Sequence, residues 1–356
     1  MDFGIMFFAS GGAGNEPGKY RLLLDAARLA DRSGLAAVWT PERHFHPFGG
    51  LFPNPAVLGA ALATITERIQ IRAGSLISPL HHTLRIAEEW AVVDNLSGGR
   101  AAVSFGSGWN VDDFLFFPER YAQRQAHMYE QIETVRRLWR GEELTEKNSF
   151  GKPVQVALYP RPVQAELPVW VTSSGNVETF VSAGRAGANV LTHLIGQDLP
   201  TLAGKIQSYR EALRESRGPD AHGKVSLMLH TFVGPDRDAV RAKVRTPFRE
   251  YLRTAINLEQ LAAAGGGAIS GGHRIKTHRI PPDVLEELLD LTFERYFETG
   301  SLMGPLEHCR QVVARLAAIG VDEIACLIDF VDDPEAVLES LSYLCKVSAA
   351  CAKVLS

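Results

Sequence analysis

The sequence predicts an α/β protein whose strands close into a (β/α)8 barrel of the TIM type, carrying insertions. Three observations lead there. Apolar strand patterns and amphipathic helix patterns alternate almost to the end of the 356-residue chain. Eight strand–helix units can be counted; repeated βα units with short connections build a parallel sheet, and eight strands close it. No Gly-x-Gly-x-x-Gly fingerprint follows the first strand, which weighs against an open dinucleotide-binding sheet. The expected organisation is one domain over residues 1–356, with insertions at about 141–161 and 255–280.

Phe3 to Ala9 is apolar and reads as the first strand, and Lys19 to Ser33 as a helix stopped by Gly34. Ala36 to Thr40 is the second strand, followed by a long loop rich in Pro, Gly and aromatic residues. Pro55 to Glu67 is helical, Ile69 to Ile77 the third strand, His82 to Leu96 helical and Ala101 to Phe105 the fourth strand. Tyr121 to Arg140 is a strong helix, with Met128, Ile132, Val135 and Trp139 on one face. The pattern then breaks, and Val154 to Val156 fits a small inserted hairpin. Pro168 to Thr172 is the fifth strand, Val177 to Ala186 a helix, Asn189 to Leu191 the sixth strand and Leu199 to Glu215 a helix. Val225 to Val233 is the seventh strand and Asp236 to Arg253 its helix. Ala255 to Ile280, with five glycines in two clusters, reads as a long loop and a candidate lid. Helices Pro282 to Glu298 and Pro305 to Ile319, strand Ile324 to Asp329 and helix Pro334 to Ala350 complete the chain.

Composition excludes several classes. The chain is 46% hydrophobic, enough for a full core, and its net charge of -4 argues against nucleic acid as a bulk electrostatic partner. No apolar run approaches the roughly 20 residues of a membrane span, and the start lacks the basic and apolar regions of a signal peptide. Cys309, Cys326, Cys345 and Cys351 lack CxxC spacing and read as buried thiols, so the expected location is the cytoplasm and no metal site is expected.

In a barrel, chemistry sits in the loops after the strands. Glu42-Arg43-His44-Phe45 follows the second strand; His44 is either a proton donor or acceptor near neutral pH or a structural histidine held by the loop. Glu42 and Arg43 are expected to pair with each other or with barrel residues. Gly74 lies near the end of the third strand, where a β-bulge suits it. The fourth strand runs into Phe105-Gly106-Ser107-Gly108-Trp109, so two neighbouring strands end in loops of minimal bulk, against which a planar cofactor can lie. Ser97-Gly98-Gly99-Arg100 precedes that strand, at the opposite end of the barrel, and serves turn geometry. Thr172-Ser173-Ser174-Gly175-Asn176 opens a helix and offers either an ordinary N-cap or an anion site. His193 follows the sixth strand and is a pocket candidate, His230 within the seventh reads as a core histidine, and His81-His82 reads as supporting structure. Asp329 ends the last strand, to bind substrate or to cap the connection.

These segments together, above all Trp39 to Pro55, Ala73 to Trp109 and Val169 to Leu194, resemble the bacterial luciferase-like, FMN-dependent monooxygenases. The nearest resemblance is to the subgroup associated with peptide and polyketide natural-product assembly lines. It implies reduced FMN delivered by a separate reductase, reaction with dioxygen through a flavin hydroperoxide, and oxygenation of a small or carrier-bound metabolite. It also implies a homo-oligomer, most simply a dimer. By the same resemblance Gly74-Ser75 is a non-proline cis peptide under the flavin ring, and Gly74, Ser75, Ser107, Gly108, Trp109, Thr172, Ser174, Gly175 and His193 bind the cofactor. Ser174 stands at the phosphate, His44 is catalytic, and Phe8, Arg43, Phe45 and Phe48 line the substrate pocket. Two departures matter. Arg43 stands where luciferases carry the first of two histidines, so light-emitting aldehyde chemistry is not carried over. Ser107 stands where they carry a phosphate-binding Arg. Two other enzymes stay open: a deazaflavin-dependent hydride-transfer oxidoreductase on the same fold, and a metal-dependent barrel hydrolase using His44, His46, His193, His230 and Asp329. The hydrolase expects its His-x-His after the first strand, which this sequence lacks.

Overall fold

The computed structural model describes residues 1–8, 18–264 and 281–352. Its centre is a ring of eight parallel strands: β1 (Asp2–Met6), β2 (Ala37–Thr40), β3 (Gln70–Ile77), β4 (Ala101–Gly106), β7 (Val169–Ser173), β8 (Asn189–His193), β9 (Val225–Val233) and β11 (Glu323–Leu327). Each pairs with the next in that order, and β11 returns to β1 with Asp2 opposite Glu323 and Met6 opposite Leu327, so no edge is left open. The two strands missing from the ring are β5 (Leu144–Lys147) and β6 (Pro153–Val156), an antiparallel hairpin within the expected first insertion. A short β10 (Leu302–Gly304), which the sequence pattern does not announce, adds to the end of β9.

Ten helices among the described residues surround the ring: α1 (Arg21–Arg32), α2 (Pro55–Ala63), α3 (Thr83–Ser97), α4 (Arg124–Arg140), α5 (Val177–Arg185), α6 (Leu199–Arg217), α7 (Arg237–Ala264), α8 (Pro282–Arg295), α9 (Leu306–Ala318) and α10 (Pro334–Ala352). The expected face of α4 is the buried one, with Met128, Ile132, Val135 and Trp139 all inside. One boundary moves substantially. The helix expected to stop at Arg253 runs on to Ala264, so the first part of the expected loop is helical. Its residues 258–264, LEQLAAA, are strong helix formers. The two glycine clusters, within 265–280, lie outside the described residues, as does Ala9 in the expected first strand.

The barrel interior is filled, not hollow. Trp39 and Trp170 meet edge to face with centroids 5.5 Å apart, and the Arg72 guanidinium lies 4.6 and 4.3 Å from their ring centroids. Arg72 Nη1 donates to both oxygens of Glu323, at 2.8 and 2.9 Å. Trp39 Nε1 donates to the same carboxylate, so this buried charge is both paired and hydrogen-bonded. The turn before β4 behaves as expected: Gly98 adopts φ 67°, and Arg100 ties it down with bonds to Thr66, Ile69 and Ala63. All four cysteines are free, three of them buried and Cys345 half-buried. No described helix is long and apolar enough to cross a membrane.

Candidate active site

A cavity opens among the loops that follow β1, β2, β3, β4, β7 and β8, with Tyr251 of α7 on its rim. Its base is made of small residues. Gly74 and Ser75 are joined by a cis peptide, and the β3–β4 register shifts between Gly74 and Leu76, so the strand irregularity and the cis bond coincide. A Cβ on Gly74 would stand 2.9 Å from Cε3 of Trp39, packed in the barrel interior, so only glycine fits. Gly108 is equally constrained, with φ 77° and a Cβ position 2.8 Å from Ile77. The hydroxyls of Ser75 and Ser104 both bond to Thr172 Oγ1, at 2.6 and 2.7 Å, linking β3, β4 and β7 beneath the opening.

The side after β7 and β8 is polar. The side chain of Asn176 caps α5 by accepting from the Glu178 amide, so the capping role falls to Asn176 and not to Ser174. Ser174 lines the cavity beside Gly175, whose φ of 114° requires glycine. Lys205 on α6 reaches the same place: its Nζ lies 3.4 Å from where a Gly175 Cβ would be, and donates to Gln197 Oε1 at 2.8 Å. A helix N-terminus with a glycine turn and an ammonium group is a fit for a phosphate. Next to it His193 faces the cavity, with Nδ1 accepting from the Ile195 amide at 3.2 Å. Burial pushes the His193 pKa down to about 4, so the ring is neutral at pH 7 and its proton sits on Nε2, as a donor.

The side after β2 is charged. Glu42 lines the cavity and is almost wholly buried. Its Oε1 meets Nε2 of His81 at 2.6 Å and Nε2 of His44 at 2.8 Å, and its Oε2 accepts from the Ile77 amide at 2.6 Å. Burial alone would raise the Glu42 pKa; the two imidazole bonds outweigh it and hold the carboxylate below its usual value. For His81 burial pulls down and the bond to Glu42 pulls up, and the net shift is upward. Asp113 also lines the cavity, bonded to Asn110 Nδ2, and burial pushes its pKa up to about 6.

The profile of the luciferase-like monooxygenase family matches residues 1–323. The chain belongs to that family. This luciferase-like protein is 26% identical over 226 residues to the oxygenase component of flavin-dependent trigonelline monooxygenase from Acinetobacter baylyi, a match covering 62% of this chain and 61% of that one. It is 32% identical over 176 residues to an F420-dependent glucose-6-phosphate dehydrogenase from Amycolatopsis mediterranei, covering 47% of this chain and 51% of that one. The matches thus span less than two thirds of these relatives' own lengths. In fold, the luciferase-like chain superposes with a TM-score of 0.76, over 99% of its length and at 19% identity, on the oxygenating constituent of 3,6-diketocamphane monooxygenase from Pseudomonas putida, solved with FMN; 98% of that chain is covered.

Most of the sequence-predicted residues meet at this cavity: Phe8, Arg43, Phe48, Gly74, Ser75, Ser107, Gly108, Trp109, Thr172, Ser174 and His193 all line it. Gly175 adjoins it through Ser174. His44 and Phe45 are not among the lining residues. His44 is turned onto Glu42 and packs against Phe45 and Phe116, and Phe45, with φ 56°, is 64% exposed. Glu42 and Arg43 do not pair with each other. Among the other histidines, His230 is buried within a box of Phe248, Tyr251 and Phe330, with ring centroids 4.6, 4.4 and 5.4 Å away. Asp329 accepts from the Phe8 amide and so joins the ends of β11 and β1. No three His, Cys, Asp or Glu side chains among the described residues are grouped as metal ligands. Sequence reasoning missed Asp113, Tyr251 and Lys205. Asp113 carried a signal of a kind, a carboxylate soon after the glycine loop; Tyr251 and Lys205 reach the site from helices, which no local motif marks.

Proposed function

We propose that the protein is an FMN-dependent monooxygenase that receives reduced flavin from a separate reductase and oxygenates a small metabolite in natural-product biosynthesis. The observation that carries this is the two-part cavity. A base stripped of side chains at Gly74 and Gly108 suits a planar ring, and an anion site at Ser174, Gly175 and Lys205 suits its phosphate. The FMN in the fold relative and the reductase implied by the two-component trigonelline enzyme are consistent with it. Bound reduced flavin supplies the electrons and the dioxygen chemistry.

The residues of the chain supply the rest. Phe8, Phe48 and Trp109 keep water from the cavity. With Nδ1 accepting from the Ile195 amide, the Nε2–H of His193 is left to donate to a bound ligand, and the Asp113 carboxyl can hold or release a proton near neutrality. His44 serves through Glu42, as a positioning residue behind the carboxylate. The protein works as a homo-oligomer; Val57 on α2 and Val92 and Leu96 on α3 are exposed apolar residues that such an interface would cover.

Anaerobic titration with oxidised and reduced FMN tests this reading. Saturable binding, with reduced flavin reacting on admission of oxygen, is expected; binding of neither form refutes it. A second reading, hydride transfer with a deazaflavin, is favoured by the F420-dependent relative. Saturable deazaflavin binding with no oxygen consumption would select it.

A further inference from the structure

Arg43 carries a charge with no hydrogen-bonded partner among the described residues. It lines the cavity and makes no hydrogen bond or salt bridge among them. Its guanidinium carbon lies 5.5 Å from the ring centroid of Phe8, 5.3 Å from Phe48 and 5.8 Å from Trp109. Asp113 and Tyr251 attract it through space without an ion pair, the Asp113 carboxylate being bonded to Asn110. The stem is held from behind: a Cβ on Gly49 would stand 3.0 Å from the Arg43 Cγ. Rings place this cation, then, but they do not satisfy it. A guanidinium stays charged when buried and presents five donors in a planar fork, which matches a planar, bidentate acceptor. A carboxylate is such a group.

The cofactor's phosphate is not that acceptor. Arg43 follows β2 and His193 follows β8. Around the closed ring these strands stand four steps apart out of eight, on opposite sides of the mouth, and Ser174 follows β7 beside β8.

We propose that Arg43 is the recognition site for a free carboxylate on the substrate, whose apolar body lies against Phe8, Phe48 and Trp109. The substrate class is an apolar organic acid. The proposal rests on the functional reading above in taking the rest of the cavity for the cofactor. It also selects a free acid over an acyl chain tethered as a thioester, because the tether consumes the carboxylate.

The test is calorimetric titration of the protein, with and without FMN, using phenylacetate, indole-3-acetate and octanoate and, in parallel, their primary amides. At least one acid should bind saturably and at least about tenfold more tightly than its amide, the range for a hydrogen bond to a charged group. Arg43→Gln should abolish that preference, and Arg43→Lys should keep part of it. No acid binding better than its amide, or an unchanged preference in folded Arg43→Gln, overturns the proposal. The acid–amide comparison in the unaltered protein needs no variant to fold. FMN binding, followed separately by flavin fluorescence, divides the outcomes: an acid preference without FMN binding refutes the cofactor reading alone, and FMN binding without an acid preference refutes the role of Arg43 alone.

Discussion

Nε2 of His44 lies 2.8 Å from Oε1 of Glu42, and of these two residues it is the carboxylate that lines the cavity. Any effect of the imidazole on chemistry therefore passes through Glu42 or through its charge interaction with Asp113. His44→Ala should leave FMN affinity within about twofold and divert oxygen from product to hydrogen peroxide, as expected when proton handling loses a part worth about 100-fold or more. The peroxide-to-product ratio is the readout, and unaltered coupling would reduce His44 to a structural residue.

Glu42→Gln should be strongly destabilising. The carboxylate bonds with His81, His44 and the Ile77 amide, and a Gln side chain offers one acceptor oxygen where the carboxylate offers two. Removing one member of a buried charged cluster costs about 3–5 kcal/mol. Urea unfolding at pH 7 measures it, and a loss under about 1 kcal/mol would contradict the geometry.

The His81 contribution should depend on pH in a defined sense. Its folded pKa is raised above a histidine's ordinary 6.5, so its stabilisation is complete below that value and fades as pH rises through the folded one. The stability gap between the protein and His81→Gln should therefore be widest below pH 6.5 and narrow on the alkaline side. A gap that widens with pH would reverse the assigned sign.

Asp113 gives the complementary case. Burial raises its pKa from 3.8 to about 6, so ionisation is costlier in the folded than in the unfolded chain. Folding is favoured by this group below 3.8, and that advantage is lost as pH rises through 6. Asp113→Asn, which can still accept from Asn110, should be more stable than the parent at pH 8 and gain nothing at pH 3.5. Denaturant midpoints at those two pH values decide the matter.

Lys205→Met removes the ammonium beside Gly175 and should weaken FMN by about tenfold, the scale of a charge-assisted hydrogen bond, while sparing the fold. Riboflavin, which has no phosphate, should bind both forms alike. Equal FMN affinity in the two proteins would move the phosphate elsewhere.

Much of this was legible in the sequence because barrel strands and their loops are local. Gly74-Ser75, Ser107-Gly108-Trp109 and Ser174-Gly175 sit at strand ends, and the strand ends of a barrel converge. The partners were not legible, because convergence says which loops meet and not which way a side chain turns. His44 and Arg43 are neighbours in sequence, yet one turns to Glu42 and the other to the rings of Phe8 and Phe48. Lys205 and Tyr251 belong to helices with ordinary periodicity, and only the packing of α6 and α7 brings them to the mouth. The continuation of α7 to Ala264 was obscured by the glycines that follow it, although Leu258 to Ala264 is a helical run by propensity.

The layer of Trp39, Arg72, Trp170 and Glu323 fills the barrel below Gly74, so the described cavity opens on the loop side. A flavin on Gly74 and an acid at Arg43, as proposed, would both enter from that side. On that proposal the occupant of Gly74, against the strands, is expected to load before the one held by Arg43 on the loop after β2. Binding is then expected to be ordered, and an acid that occupies Arg43 first is expected to inhibit cofactor loading at high concentration.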